Sequence, residues 1–427
     1  MLIVLIAFTV LLLIGMPVAF AIGISGLLFF LQNPELPTTI PIQLTVTETQ
    51  NFALLAVPLF ILAGNFLNSS GITHNLLKLA SVLTGRMQGG LAQTSIALST
   101  LMSGVTGSSI ADAAMNARIL GPQMLKRGFS KGYAAGVLAY GSLMAPIIPP
   151  GIGFILYGTV GQVSIGRLFA AGIIPGLLLW AALAVTISIT ARQRGYAPER
   201  ETRPTFKEVA FAAWGGIWAL LFPVVLLLGL RFGVFTPSEI GAFAVIYAVA
   251  IGFFAYRMLT FASFREAVEN SLIDVGAVMF LLALSAIFGY GIIFEQIPEV
   301  ISRWMLGITD DPYIVMVLIV LFILVAGTFM EGSVLIIMLT PIFLPLVTQY
   351  GIDPVHFGLI FIIAATIGNY TPPVGGAMFV VCQILRCPIG DYARESMPFL
   401  LAVSLVTLLL IFVPQVVLFV PNLIFGP

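Results

Sequence analysis

Apolar runs long enough to cross a membrane alternate with short polar stretches along almost the whole chain. Runs at 2–31, 52–69, 166–191, 208–231, 236–257, 264–290 and 392–420 read as spans. Several pass the roughly 20 apolar residues that the hydrocarbon core requires. Two more runs, 129–163 and 355–385, break in the middle. The first break is Ala145-Pro146-Ile147-Ile148-Pro149-Pro150-Gly151-Ile152-Gly153, and the second is Gly368-Asn369-Tyr370-Thr371-Pro372-Pro373-Val374-Gly375-Gly376. A Pro-Pro pair removes two amide donors and disfavours helix at the residue before it. Unwound backbone is tolerated in a bilayer only where protein covers it or it lines a polar cavity.

Residues 88–126 form two apolar arms, each too short to cross, joined by Ser103-Gly104-Val105-Thr106-Gly107-Ser108-Ser109. Arms near 313–326 and 333–349 flank a second tip, Ala326-Gly327-Thr328-Phe329-Met330-Glu331-Gly332. Both read as re-entrant hairpins. The two halves share one register: Pro149 and Pro372 are 223 positions apart, and the same shift carries Gly104 to Gly327, Gly128 to Gly351 and Pro175 to Pro398. Matching interruptions in two halves of a membrane protein point to a transporter's binding site. Amphipathic stretches near 72–86 and 296–308 precede the hairpins and read as interfacial helices, or as arms bracing a moving domain.

Composition agrees with this pattern. The 427 residues are 59% hydrophobic and 8% charged, with 42 Gly and 26 Pro, and the net charge of zero gives no footprint for nucleic acid. The apolar start lacks a basic leader region and continues to Leu31, so it reads as a retained helix rather than a cleaved signal. The basic cluster Arg192, Arg194, Arg200, Arg203 and Lys207 places its loop in the cytoplasm. Counting outward puts the N-terminus inside and the C-terminus outside, with Arg167 and Arg231 on the unfavoured side. Arg86, Lys126, Arg127 and Lys131 flank the first hairpin, whereas Asp310, Asp311 and Asp353 flank the second. The hairpins therefore enter from opposite faces, and the second copy is inverted.

A helix broken at mid-membrane exposes free carbonyls, which suit a hard cation, and free amides, which suit an anion. The candidate cation set in the first copy is Ser103, Ser108 and the backbone of Ala145, Ile148 and Pro150. In the second copy it is Gly327, Thr366, Asn369 and Thr371. Asn369 could complete a cation shell, satisfy backbone freed by the prolines, or do both. Candidates for the substrate are Thr106, Ser109, Asp112, Arg118, Thr328, Glu331 and Gly375. Asp112 is a carboxylate at membrane depth, which points to function. Ser109-Ile110-Ala111-Asp112 also reads as a helix-capping box. Arg118 could pair with Asp112 or meet a substrate carboxylate. No phosphate-binding loop, zinc motif or Ser/His/Asp set occurs, so the driving force would be an ion gradient and no enzyme is indicated. Cys382 and Cys387 lack metal spacing.

The segment Met102–Met115, with Ile147–Gly151 and Gly368–Gly376, resembles the large membrane subunit of tripartite ATP-independent periplasmic (TRAP) transporters, and the likeness covers essentially the whole chain. It implies an all-α polytopic fold with two inverted repeats, each with a hairpin and a broken helix, similar to elevator-type sodium-coupled transporters. The implied division is scaffold helices and arm over 1–87, half a transport domain over 88–191, linker, scaffold and second arm over 192–310, and the other half over 311–427. The resemblance further implies two or more sodium ions, a small four-helix membrane subunit, a periplasmic substrate-binding protein and residence in the bacterial inner membrane. Because the sequence opens directly on a large-subunit helix, the small subunit is expected as a separate chain. Family substrates are organic acids such as sialic acid or C4-dicarboxylates, and the sialic acid branch is the nearer likeness. An autonomous ion-coupled anion symporter of similar architecture stands as the alternative.

Overall fold

The computed structural model describes residues 2–50 and 52–426, which are nearly all helical and contain no strand. The first run divides into α1 (Leu2–Leu13) and α2 (Val18–Gln32), followed by α3 (Ile40–Thr49). The single span expected over 2–31 is thus two helices. Pro17 has no amide to donate and its ring disfavours helix at Met16. The stretch between the first two expected spans holds α3. Next, α4 (Ala56–Ser69) turns by 70° into the amphipathic α5 (Ile72–Thr84).

The first hairpin is α6 (Gly90–Thr106) and α7 (Ser109–Ile119), followed by α8 (Gly121–Lys126). Helix α9 (Lys131–Gly141) ends in a tight turn at Ser142–Met144, and α10 (Ile152–Val160) resumes beyond the break. Two helices, α11 (Ile165–Ala171) and α12 (Ile173–Gln193), close this half. The crossing expected over 208–231 is bent by 65° between α13 (Phe206–Gly215) and α14 (Ile217–Arg231). Then come α15 (Pro237–Ala250) and the 34-residue α16 (Phe261–Phe294).

The second half runs α17 (Ile297–Leu306), the hairpin α18 (Pro312–Gly327) and α19 (Gly332–Gln349), and the broken pair α20 (Pro354–Asn369) and α21 (Gly376–Leu385). It closes with α22 (Ile389–Phe412) and α23 (Pro414–Phe425). Pro414 divides the run expected as one span over 392–420 for the same reason as Pro17. Asp311 and Asp353, read from sequence as charge markers, also start helices. Asp311 Oδ1 accepts from Tyr313 N at 2.7 Å and Asp353 Oδ1 accepts from Val355 N at 2.7 Å, each followed by a proline at the first helical position.

Both hairpins and both breaks therefore form, and the starts of α6, α7, α9 and α10 map onto α18, α19, α20 and α21 within one residue of the 223 shift. Packing is reciprocal. Helix α10 lies on the second hairpin's α19, and α21 lies on the first hairpin's α7. A two-fold relation between copies requires this exchange. Helices α2 and α3 pack on α16 and α1 packs on α2, while α4 packs on α15 and α16, forming a group beside the hairpins and broken helices.

The hairpin tips press on their own breaks. A Cβ on Gly368 would stand 2.5 Å from the backbone of Gly327, and one on Gly327 would stand 2.9 Å from Ala365 O. Glycine is required at this crossing because two backbones occupy the space of one side chain. Substituting Gly368→Ala should lower stability by roughly 2 kcal/mol, the usual cost of overpacking. The check is the thermal midpoint of the purified chain; an unchanged midpoint would show that the crossing is loose.

Candidate functional site

A cavity of about 550 Å³ opens where the two halves meet the helices that pack on α16. Its walls include Thr106, Ser108 and Ser109 from the first tip, Ile152 and Gly153 from the start of α10, Glu331 and Ser333 from the second tip, and Thr366 and Asn369 from the end of α20. Six of the residues singled out from sequence thus share one space: Thr106, Ser108, Ser109, Glu331, Thr366 and Asn369. The opposite wall is Asn65 and Asn68 of α4 and Asp274 of α16.

That wall was missed by sequence reading, although its signal was present. Asp274 is a carboxylate well inside the run 264–290, and such a residue belongs in a polar cavity rather than lipid. Asn65 Nδ2 donates to Ser271 Oγ at 2.9 Å and to Asp274 Oδ2 at 3.4 Å. Ser271 in turn donates to Ala267 O at 2.6 Å. Residues 267, 271, 274 and 278 recur at helical spacing, so one face of α16 carries this polar wall.

The remaining candidates lie around the cavity. The Ser103 hydroxyl is buried and donates to Thr100 O at 2.6 Å. Thr328 Oγ1 donates to Val325 O and Thr371 Oγ1 to Ile367 O, both at 2.8 Å. Gly375 N donates to Thr328 O at 2.9 Å, which joins the second tip to the second break. At the first tip Gly107 has φ +57°, and a Cβ there would sit 3.1 Å from Pro150 O. Ala145, Ile148 and Gly327 stand in or against the breaks, outside the cavity wall.

Two expectations are corrected. The capping box over Ser109–Asp112 does not form: Ser108 caps α7, without a side-chain bond. The Asp112 carboxylate turns toward the other arm instead, where Oδ2 accepts from Ser99 Oγ at 2.6 Å and from Asn116 Nδ2 at 3.1 Å. Asn116 Nδ2 also donates to Ser99 Oγ at 2.7 Å, and all three residues are fully buried. Arg118 points away, exposed, and pairs neither with Asp112 nor with the cavity. Burial explains the choice, since a carboxylate inside the hairpin needs short-range donors there.

The tyrosine of the second break has a role not assigned from sequence. Tyr370 is fully buried, and its hydroxyl lies 3.0 Å from Ser142 Oγ in the turn before the first break. Tyr392 OH donates to Tyr370 O at 2.8 Å. A phenol inside a Pro-Pro interruption was the available signal, because its hydroxyl has to find a partner when buried. The two breaks are thereby linked directly.

The helix starts at the cavity differ in one respect. Neither α7 nor α10 has a side-chain cap, although Asp112, turned toward Ser99, lies in the first turn of α7; Ser108, Ser109 and Ile152 at these starts line the cavity. Glu331 caps α19, accepting from Ser333 N at 2.9 Å and Ser333 Oγ at 3.2 Å. Among the described residues, no group of three His, Cys, Asp or Glu could hold a metal ion. The oxygen donors around the cavity are carbonyls, hydroxyls, the Asn369 amide and the Asp274 and Glu331 carboxylates.

Two hairpins aimed at two broken helices around one polar cavity define a membrane transporter fold. The Alcanivorax borkumensis YdaH transporter shares it, with a TM-score of 0.64 at 17% identity over 88% of this chain and 87% of that one. The family described as "Tripartite ATP-independent periplasmic transporter, DctM component" matches residues 5–416. The chain belongs to this family of TRAP large permeases. It is 34% identical over 405 residues to the 2,3-diketo-L-gulonate TRAP transporter large permease protein YiaN of Escherichia coli, covering 95% of each. It is 34% identical over 412 residues to the isethionate TRAP transporter permease protein DctMQ of Oleidesulfovibrio alaskensis, where it spans 65% of that longer protein's length.

Asp112→Ala should destabilise the first hairpin by about 2–3 kcal/mol, because buried Ser99 and Asn116 lose their acceptor. Asp112→Asn, which keeps one acceptor oxygen, should cost less. Thermal unfolding in detergent measures both, and equal costs would contradict the network.

Proposed function

We propose that this chain is the large membrane subunit of a sodium-coupled uptake system for an organic acid anion in the bacterial inner membrane. The single observation that carries the reading is the cavity on which both hairpin tips and both helix breaks converge. Carbonyl ends and hydroxyls of each tip–break pair suit a sodium ion, with Ser103, Ser108, Ala145, Ile148 and Pro150 at one and Gly327, Thr366, Asn369 and Thr371 at the other. The uncapped starts of α7 and α10 suit the anion.

In this reading the hairpins and broken helices, 88–191 and 311–427, move as one body against the scaffold and arms of 1–87 and 192–310. The Tyr370–Ser142 and Asp112–Ser99 links support such a rigid body, and the contacts of α5 with α6 and of α17 with α19 are consistent with bracing arms. Sialic-acid-like and C4-dicarboxylate-like anions are both candidate cargoes. A small four-helix membrane subunit and a periplasmic binding protein complete the system, with the N-terminus in the cytoplasm and the C-terminus in the periplasm.

Proteoliposomes holding the chain and its small subunit should accumulate the acid only with the binding protein and an inward sodium gradient. Uptake without the binding protein would instead identify an autonomous anion symporter. Asn369→Ala should reduce the response of uptake to sodium at least about tenfold, on the scale of losing one ligand of an ion site. A wild-type sodium response in that variant would remove Asn369 from the site.

A further inference from the structure

Helix α13 buries none of its residues, although it is largely apolar. Phe206, Phe211 and Trp214 are 86%, 83% and 76% exposed, and with Ala210 they form one stripe at helical spacing. On the other side Val209, Ala212 and Ala213 are half-buried, and α13 packs on the arm helix α5. Asn75 and Leu76 of α5 lie beside Gly215 and Gly216, and Tyr256 OH donates to Gly215 O at 2.9 Å.

The depth of α13 follows from α14. The 15 residues of α14 extend about 22 Å, short of the roughly 30 Å hydrocarbon core. Helix α4, with 14 residues, falls short in the same way before its turn of 70° into α5. Arg231 ends α14 at one interface, so α13, meeting α14 at 65°, lies at the other, where acyl chains give way to headgroups. The basic loop that precedes α13 marks that side as cytoplasmic.

The charges around the stripe are unevenly matched. Glu208 accepts from Thr205 N at 3.2 Å and lies 3.7 Å from Arg200, and Glu199 accepts from Ser81 Oγ at 3.4 Å. Glu201 is exposed, as are Arg203, Lys207 and, on α5, His74 and Lys78. Among the described residues, Arg203 and Lys207 have no carboxylate partner. Lys207 separates two possible occupants of the stripe. At about 3.6 residues per turn it falls between Trp214 and Phe211. A protein seated there would bury that ammonium among aromatic rings unless it brought a carboxylate to the same point, whereas in a leaflet the long stem carries the charge up to the phosphates. Helix interfaces in membranes also favour small residues, and Ala212 and Ala213 are on the side toward α5.

We propose that α13 is an anchor seated in the cytoplasmic leaflet. Phe206, Phe211 and Trp214 lie among acyl chains, and Arg203 and Lys207 hold the phosphates of anionic phospholipids. Contacts of α13 with α5, and of α5 with α6, carry this hold to the first arm and the first hairpin. The anchor goes beyond the transport reading and is independent of the ion and the cargo.

The full chain in nanodiscs of phosphatidylcholine and phosphatidylglycerol in equal parts tests the proposal, with bimane attached at Phe211→Cys and bromine on the acyl chains of one lipid or the other. The wild-type chain treated with the same reagent gives the background from the buried Cys382 and Cys387. Both brominated lipids should quench the label, with phosphatidylglycerol at least about twofold more effective per molecule. Arg203→Gln together with Lys207→Gln should bring the two lipids to equality while quenching persists. Absence of quenching by either lipid would overturn the anchor. Equal quenching with Arg203 and Lys207 in place would overturn the part played by anionic headgroups. Quenching lost on addition of the small membrane subunit would make the stripe a subunit interface and overturn the lipid as its occupant.

Discussion

Backbone polar groups inside a bilayer have to be satisfied by protein, and the rest of this structure depends on how that requirement is met at two Pro-Pro breaks. Each break lies against the tip of a hairpin from its own half. Gly107 closes on Pro150 O in the first half, and in the second half Gly327 closes on Gly368 while Gly375 N bonds Thr328 O. A hairpin without a break would bury an unsatisfied tip, and a break without a hairpin would leave carbonyls and amides in lipid. Neither element is stable alone, which accounts for their occurrence as a pair in both halves.

The second consequence is cohesion. Tyr370 and Tyr392 tie the second break to the first and to α22, and the Ser99–Asp112–Asn116 network makes one unit of the first hairpin's arms. The post-break helices are exchanged between copies, so that α10 leans on α19 and α21 on α7. A polar cavity lies between Asn65 and Asp274 and the tips, while beside it Gly64 of α4 packs closely on Val105 O and α16 packs on α19.

Much of this was legible in the sequence because proline and glycine act locally. The breaks, the hairpin tips and the 223-residue register rest on residues whose backbone effect does not depend on their neighbours. The same rule, applied to Pro17 and Pro414, would have divided the first and last runs, where hydropathy alone suggested single spans. Side-chain partners were not legible. Ser99 and Asp112 lie 13 residues apart on different arms, and Ser142 and Tyr370 lie 228 apart. Only tertiary packing brings them together. Asp112 shows the limit most clearly: the local pattern read as a helix cap, and burial beside Ser99 prevailed. Asn65 and Asp274 sit in runs whose hydropathy indicates only spans, and an isolated polar residue in such a run is itself the signal of a cavity.

The central claim is that both tip–break pairs hold sodium. Hydrogen–deuterium exchange of the purified chain in sodium chloride and in potassium chloride of equal ionic strength tests it most directly. Sodium should slow exchange around residues 103–111 with 145–153, and around 327–333 with 366–376, while α16 exchanges equally in both salts. Identical exchange at the breaks in the two salts would contradict the account.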